Sequence, residues 1–148
     1  LEKNQSDENT GEVTSMPVLV TIDLKSGTAT ELVEPLNQYR AQISLHSVND
    51  NTVYYSYSYW DEKKEVVDKC GDPATTVEEM KELMKTNAHT FAGFLSTDGN
   101  QGKENELEAA DAPNVVYMDE DNVYLTKGTE NSLYKIWKRK KRLPGRVT

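Results

Sequence analysis

Hydrophobic and polar side chains alternate with a period of two in several parts of the chain, and this alternation predicts β-strands. The clearest case is segment 53–60, where valine and three tyrosines occupy the odd positions and therefore share one face. Short polar turns between such segments favour antiparallel hairpins. The predicted strands are 18–25, 28–33, 42–48, 53–60, 65–67, 115–118, 123–126 and 133–138. We therefore predict a mainly β fold with antiparallel sheets.

One segment has the periodicity of a helix instead. Thr76 and Glu79 form the capping-box pattern that marks a helix N-terminus. The apolar residues that follow fall on one side at helical spacing: Val77, Met80, Leu83, Met84 and Ala88. A single inserted α-helix near 76–88 is predicted, and it must dock on a sheet because so short a helix is marginal alone.

Residues 70–113 are interpreted as one insertion into the β pattern. The insertion contains the helix, a short apolar patch at 91–95 and a polar loop at 96–112 that we expect to be mobile. Insertions in repeat folds map to loops on one face and are often functional. The alternative is that the helix belongs to the core and covers a sheet face, and the sequence leaves both interpretations open.

Composition and charge divide the 148 residues further. Segment 1–15 is almost entirely polar, so we expect a disordered linker or stalk there. A single β-rich domain is predicted over 16–138, with a basic tail at 139–148. Hydrophobic residues make up only 36% of the chain, so its core must be thin or shared with another structure. No apolar run is long enough for a spanning helix.

The basic residues are concentrated at the C-terminal end. Segment 135–148 carries seven Lys and Arg and no acid, which leaves 1–134 with ten bases, 25 acids and a net charge of −15. The cluster 138–142 fits a nuclear-import patch, a dibasic cleavage site, a membrane-surface anchor or a plain solvated tail. Because the acidic body repels phosphate, we expect no nucleic-acid partner.

Residues suited to catalysis or metal binding are few. The two histidines, His46 and His89, and the one cysteine, Cys70, lack the short paired spacing of zinc sites. Nothing in the sequence brings Cys70 and His89 together as nucleophile and base, so Cys70 is expected to be a free thiol. No nucleophile-elbow, phosphate-loop or paired His–Glu motif occurs. We therefore predict no catalytic residue, no metal ligand, no cofactor and no enzyme activity.

Two other features, the acidic turns and the tyrosine-rich strand, are candidate binding surfaces. The acidic turns 98–100 and 119–122 offer oxygen ligands of the kind calcium takes, but neither fits the EF-hand pattern, and we interpret both as solvated turns. The tyrosine-rich strand can present a stacking surface for sugars or peptides. Packing of Tyr55, Tyr57 and Tyr59 within the sheet is the favoured alternative, so no site residue is named.

A weak internal repeat links distant strands. Segment 51–55 matches 121–125 at an offset of 70 residues, and 19–22 resembles 133–136. The stretches "VYYSYSYWD" (53–61), "NVYLTKGTENSLYKI" (122–136) and "LVTIDLKSGTATEL" (19–32) resemble blade pieces of secreted bacterial β-propellers, of the low-density-lipoprotein-receptor YWTD and TolB-like kinds. The full YWTD tetrapeptide is absent, and only Tyr59-Trp60-Asp61 occurs.

The resemblance implies propeller-blade-like sheets that pack against further blades, since 148 residues supply fewer than the ~4–8 blades of a closed propeller. A small α+β domain with blade-like hairpins is the alternative fold. The function implied is a non-catalytic extracytoplasmic binding or scaffold module of a bacterial surface protein or lipoprotein. Its expected partner is a protein, peptide or glycan. The alternative function is a propeller domain attached to a hydrolase whose catalytic part lies outside this chain. Because the sequence starts at Leu1, we expect upstream sequence that could tether the module to a membrane.

Overall fold

The computed structural model describes residues 2–6, 13–128, 133–137 and 145–147. Twelve strands and two α-helices occur in these ranges. The strands are β1 (Glu2–Ser6), β2 (Val13–Pro17), β3 (Val20–Ile22), β4 (Ala29–Glu31), β5 (Tyr39–Asn49), β6 (Thr52–Trp60), β7 (Ala88–Ser96), β8 (Gly102–Glu106), β9 (Pro113–Met118), β10 (Asn122–Lys127), β11 (Leu133–Trp137) and β12 (Gly145–Val147). The helices are α1 (Lys64–Gly71) and α2 (Val77–Asn87), and a 3₁₀ turn spans Ala109–Asp111. The prediction of a mainly β, antiparallel fold is confirmed.

The strands form two four-stranded sheets and two hairpins. The sheets have the orders β5-β6-β7-β8 and β9-β10-β11-β12, so each follows the chain without a crossover. The hairpins are β1–β2 and β3–β4, and every strand pair is antiparallel. The chain therefore advances as consecutive sheet units.

The β5–β8 sheet is covered on both faces. We call the side that carries Tyr54 the forward face and the side that carries Tyr55 the rear face. On the forward face, Tyr54 and Ala92 pack against three residues of the next sheet: Val115, Met118 and Val123. On the rear face, Val53 and Tyr55 pack against residues that precede the sheet: Leu19, Leu32 and Val33. Residues 53–56 of β6 are buried on both sides for this reason.

Helix α2 forms where it was predicted. The Thr76 hydroxyl accepts a hydrogen bond from the Glu79 amide at 3.2 Å, and the Glu79 carboxylate accepts one from the Thr76 amide at 2.9 Å. The described residues contain a second helix, so the prediction of one helix was wrong. The predicted strand at 65–67 is part of α1, where Val66 is fully buried. Val66 and Cys70 are four residues apart and share a helix face, a spacing that a three-residue window cannot reveal.

Residues 70–113, interpreted as one insertion, contain two strands of the β5–β8 sheet. Strand β7 pairs with β6 over nine residues, from Thr52–Ser96 to Trp60–Ala88, and it also pairs with β8. The apolar patch 91–95 is thus a central strand. Part of the predicted mobile loop is the edge strand β8, whose residues are all exposed. A strand exposed on both faces shows no hydrophobic alternation, so its sequence reads as a loop.

The structure describes strands near both ends of the chain, but not the basic cluster near the C-terminus. Within 1–15, where a disordered stalk was predicted, β1 pairs with β2 through backbone hydrogen bonds, which polar side chains permit. Lys3 also forms an ion pair with Glu31 at 2.9 Å. The basic cluster 138–142 lies outside the described residues, whereas β12 pairs with β11. The division into domains stays a prediction.

No helix in the described ranges is long and apolar enough to cross a membrane.

Candidate functional site

A groove of about 530 Å³ lies on the rear face of the β5–β8 sheet. One wall is the loop 32–38, and the other is formed by Tyr57, Leu95 and Glu104. Backbone hydrogen bonds hold the loop at both ends, from the Leu32 amide to the Leu19 carbonyl at 2.8 Å and from the Leu36 amide to the Pro17 carbonyl at 3.0 Å. We call this cavity the rear groove.

The lining of the rear groove is aliphatic and acidic. Leucine, valine and proline side chains supply much of its apolar surface. Glu34 and Glu104 are its two charged residues, and the amides of Asn37 and Gln38 complete the polar part. No lysine or arginine is among these lining residues. The groove therefore presents two negative charges beside an apolar wall, within a body that is itself strongly acidic.

Two tyrosines orient the Glu104 carboxylate. The Tyr55 hydroxyl donates to Oε1 at 2.5 Å, and the Tyr57 hydroxyl donates to Oε2 at 2.6 Å. Burial raises the pKa of both phenols well above their usual value, and the bonds to Glu104 raise them further. Both phenols thus keep their protons and remain donors at physiological pH. Tyr55 reaches β8 because Gly93 of β7 lies between them with no side chain.

The aromatic residues of the rear face form one row of stacked rings. Successive centroids are 6.3 Å apart from Tyr55 to Tyr57, 4.8 Å to Phe91, 6.0 Å to Tyr59 and 5.0 Å to His89. Interplanar angles between 12° and 28° show that neighbouring rings are nearly parallel, and Tyr57 packs most closely on Phe91. A sugar stacks on an open ring face, so this geometry favours the packing role for the tyrosines.

His89 is held at the end of this row by two carboxylates. Its Nδ1 is 3.0 Å from Glu106 Oε1, and its Nε2 is 2.9 Å from Asp61 Oδ1. The bond to Glu106, supported by Asp61, outweighs partial burial and raises the pKa of His89. Asp61 directly follows β6 and begins the connection to α1, so the histidine ties this connection to the edge strand β8. The two carboxylates lie on opposite sides of the imidazole and cannot converge with it on one metal ion.

The other chemically notable residues are not brought together. His46 Nε2 is 2.7 Å from the Ser56 hydroxyl on the forward face, where burial lowers the pKa of His46. Cys70 is a half-buried free thiol on α1. Among the described residues, no three His, Cys, Asp or Glu side chains are placed to hold a metal.

The two acidic turns are stabilised by their own carboxylates. Asp98 accepts hydrogen bonds from the Ser96 hydroxyl at 2.5 Å and from the Asn100 amide at 3.0 Å. Asp119 Oδ1 accepts from the amides of Asp121 and Asn122 at 2.9 and 2.8 Å. These carboxylates hold turns, as the interpretation of solvated turns implies.

Sequence reasoning missed the rear groove altogether. Its walls come from segments about 20 to 70 residues apart, and neither Glu34 nor Glu104 lies in a recognisable motif. Only the pairing of β6, β7 and β8 brings them together. No protein-family model, no curated protein and no solved structure matches the chain.

Proposed function

We propose that this chain is a non-catalytic, extracytoplasmic binding module of propeller-like architecture, and that its rear groove binds an extended cationic segment of a protein or peptide. The observation that carries the proposal is the lining of the groove, which joins two carboxylates to an aliphatic wall without a cation.

The strand order supports the propeller-like architecture. Each four-stranded sheet runs in chain order, as the strands of a propeller blade do. The repeat seen in the sequence falls on matching strands, because 51–55 leads into β6 and 121–125 into β10, the second strand of each sheet. The second similarity does not fall on matching strands, because 19–22 contains β3 of a two-stranded hairpin and 133–136 lies in β11, the third strand of a four-stranded sheet.

The chemistry of the groove favours a basic, extended ligand. Alternate side chains of an extended peptide point to opposite sides, so aliphatic and cationic residues can meet the wall and the carboxylates separately. Glu104 is positioned for this, since the two phenols use one lone pair on each oxygen and leave others for a ligand. The charge of −15 over 1–134 adds a long-range attraction for cations.

A binding role also suits the one histidine that lies near carboxylates. Both ring nitrogens of His89 are hydrogen-bonded to protein carboxylates, so neither is available to a substrate. A general acid or base must have a nitrogen or oxygen within reach of the reacting proton. His89 is therefore better explained as a structural clasp than as a catalytic residue.

Isothermal titration of the purified chain with a short peptide that alternates lysine and valine tests the proposal. We expect binding that weakens as salt is added, and no binding of the matched peptide that alternates glutamate and valine. Glu34→Gln should weaken binding about two- to fivefold, the range of a partly exposed charge pair. Glu78→Gln on helix α2, which lies outside the groove, is the matched control and should bind as the parent does.

Three results would contradict the proposed ligand. These are equal binding of both peptides, binding that Glu34→Gln leaves unchanged, or binding of a neutral oligosaccharide in preference to either peptide. The extracytoplasmic location is a separate part of the proposal and rests on the resemblance to secreted propellers. It predicts that the chain in intact bacterial cells is cleaved by externally added protease, and protection from the protease would contradict it.

A further inference from the structure

Strand β8 forms one edge of the β5–β8 sheet. It is the last strand in the sheet order, and β7 is its only partner among the described strands. All five residues of β8 are exposed. Its pairing with β7 is continuous, from Leu95–Gly102 to Phe91–Glu106, and the strand contains no proline. Bulges and prolines are common means of blunting a sheet edge, and β8 has neither.

The hydrogen bonds at the two ends of β8 identify which of its backbone groups point outward. The Ser96 amide donates to the Gln101 carbonyl at 2.7 Å, and the Leu107 amide donates to the Thr90 carbonyl at 2.8 Å. Bonded positions recur at every second residue of an antiparallel pair, so the odd-numbered residues of β8 bond to β7. The amides and carbonyls that point away from β7 belong to Gly102, Glu104 and Glu106. No other described strand pairs with them.

The side chains of β8 make the rear side of this edge negative. Glu104 and Glu106 lie on the rear face, where they bond to Tyr55 and His89. The other charged residue, Lys103, lies on the forward face by alternation. Opposite charges on adjacent strands stabilise their pairing, whereas like charges directly opposite destabilise it. Pairing of two copies through β8 would bring the glutamates of both together, so the edge favours a basic strand over a second copy.

We propose that the cationic segment bound by this protein adds to β8 as an antiparallel fifth strand of the β5–β8 sheet. This inference rests on the proposed function and adds to it how the ligand's backbone is held. Glu104 joins the two, because its side chain lines the rear groove and its backbone lies on the open edge. Antiparallel addition continues the pairing of the sheet.

The geometry of an antiparallel pair fixes the pattern of the ligand. Residues opposite Glu104 and Glu106 exchange both backbone hydrogen bonds with β8 and place their side chains on the same rear face. The segment therefore carries lysine or arginine at every second position. The residues between them turn their backbone groups away from β8 and their side chains to the forward face.

Backbone N-methylation of the alternating lysine–valine peptide tests the proposal by titration calorimetry. N-methyl groups on the two central lysines remove amides that donate to β8 and crowd the strand, so binding should weaken more than about tenfold. N-methyl groups on the two central valines lie on the outer side of the added strand. This matched peptide should therefore bind as the unmodified peptide does. Equal losses for both peptides, or a loss for the valine-methylated peptide alone, would overturn the proposal.

A charge variant of β8 tests where the cations lie. Glu106 is not among the residues that line the rear groove, so a ligand held by the groove alone would not contact it. Glu106→Gln keeps an acceptor for His89 and should weaken binding of the lysine–valine peptide about two- to fivefold. Glu78→Gln is again the matched control. An unchanged affinity of Glu106→Gln would contradict the placement of cations along β8.

Amide hydrogen exchange followed by NMR measures the contact from the protein side. With the peptide at saturation, the amides of Glu104 and Glu106 should exchange at least about tenfold more slowly. The Asn105 amide already bonds to β7 and should change less. Unchanged exchange at Glu104 and Glu106 in the bound state would overturn the fifth strand and leave the proposed function standing. Absence of peptide binding would overturn both, so the two failures are distinguishable.

Discussion

Gly93 is the position at which one added carbon should disturb the rear groove most directly. It lies opposite Tyr55 on one side and Glu104 on the other, and the Tyr55 ring crosses it to reach the Glu104 carboxylate. A Cβ at this position would lie 2.9 Å from the Lys103 carbonyl oxygen and 2.9 Å from Glu104 Cγ. It would also lie 3.3 Å from Tyr55 Cζ. Contacts this close force β8 or the Tyr55 ring to move.

The expected cost of Gly93→Ala is about 2–4 kcal/mol. Overpacking in a fixed environment costs ~1–3 kcal/mol, and displacing a hydrogen bond to a carboxylate costs ~1.5–3 kcal/mol. The two losses overlap, because moving the Tyr55 ring relieves the crowding and breaks the bond together. At this chain length each kcal/mol lowers the melting temperature by ~2–4 °C, so the variant should melt about 5–15 °C below the parent.

Urea unfolding followed by circular dichroism measures the effect against two controls. An added Cβ at Gly71 meets no atom within 4 Å, so Gly71→Ala should be neutral or stabilising by up to ~1 kcal/mol. Tyr55→Phe removes the hydroxyl without the crowding and should give only the hydrogen-bond part of the loss. An unfolding midpoint for Gly93→Ala equal to that of the parent would refute the placement of Tyr55 over Gly93, and with it the orientation of Glu104.

Three further predictions concern the clasp, the helix cap and the central strand. Glu106 and Asp61 raise the folded-state pKa of His89, so the stabilisation that the charged imidazole provides is fully present below about pH 6.5 and is lost as the pH rises through the raised pKa. In urea titrations, the difference in unfolding free energy between the parent and His89→Phe should therefore shrink as the pH rises through this range. A difference that stays constant with pH contradicts the clasp. Thr76→Ala removes the helix cap and should cost about 1 kcal/mol in the same assay, whereas a Thr76→Ser variant that loses as much argues against capping. Replacing 71–112 with a Gly/Ser linker removes β7 and β8 and should abolish the cooperative unfolding transition. A variant that stays soluble and folded as β-sheet would contradict the conclusion that β7 and β8 are needed to hold the β5–β8 sheet together.

The sequence predicted best the elements whose signal is local. The alternation of 53–60 predicts β6 because bulky residues recur at every second position, and the Thr76–Glu79 capping box places the start of α2. Strand β8 could not be predicted, because it is an exposed edge whose side chains need not be apolar. Helix α1 was missed because adjacent valines are typical of strands, whereas its burial depends on Val66 alone.

The rear groove could not be predicted for a different reason. Its chemistry arises when Glu104 on an edge strand meets the loop 32–38, and no local pattern links segments so far apart along the chain. The tyrosines were visible, but their role depends on ring geometry. A strand with alternating tyrosines is compatible with both an open stacking platform and a packed row, and the full burial of Tyr55 and the close Tyr57–Phe91 contact favour the second.

The low apolar fraction follows from how the core is divided. The four residues 53–56 of β6 are all buried, because separate clusters cover the two sides of the strand. Each cluster is one layer thick, and tyrosine supplies much of its volume while its hydroxyl reaches a polar partner at the margin, as Tyr55 does with Glu104. Sheets that share layers in this way need fewer aliphatic residues than one central core.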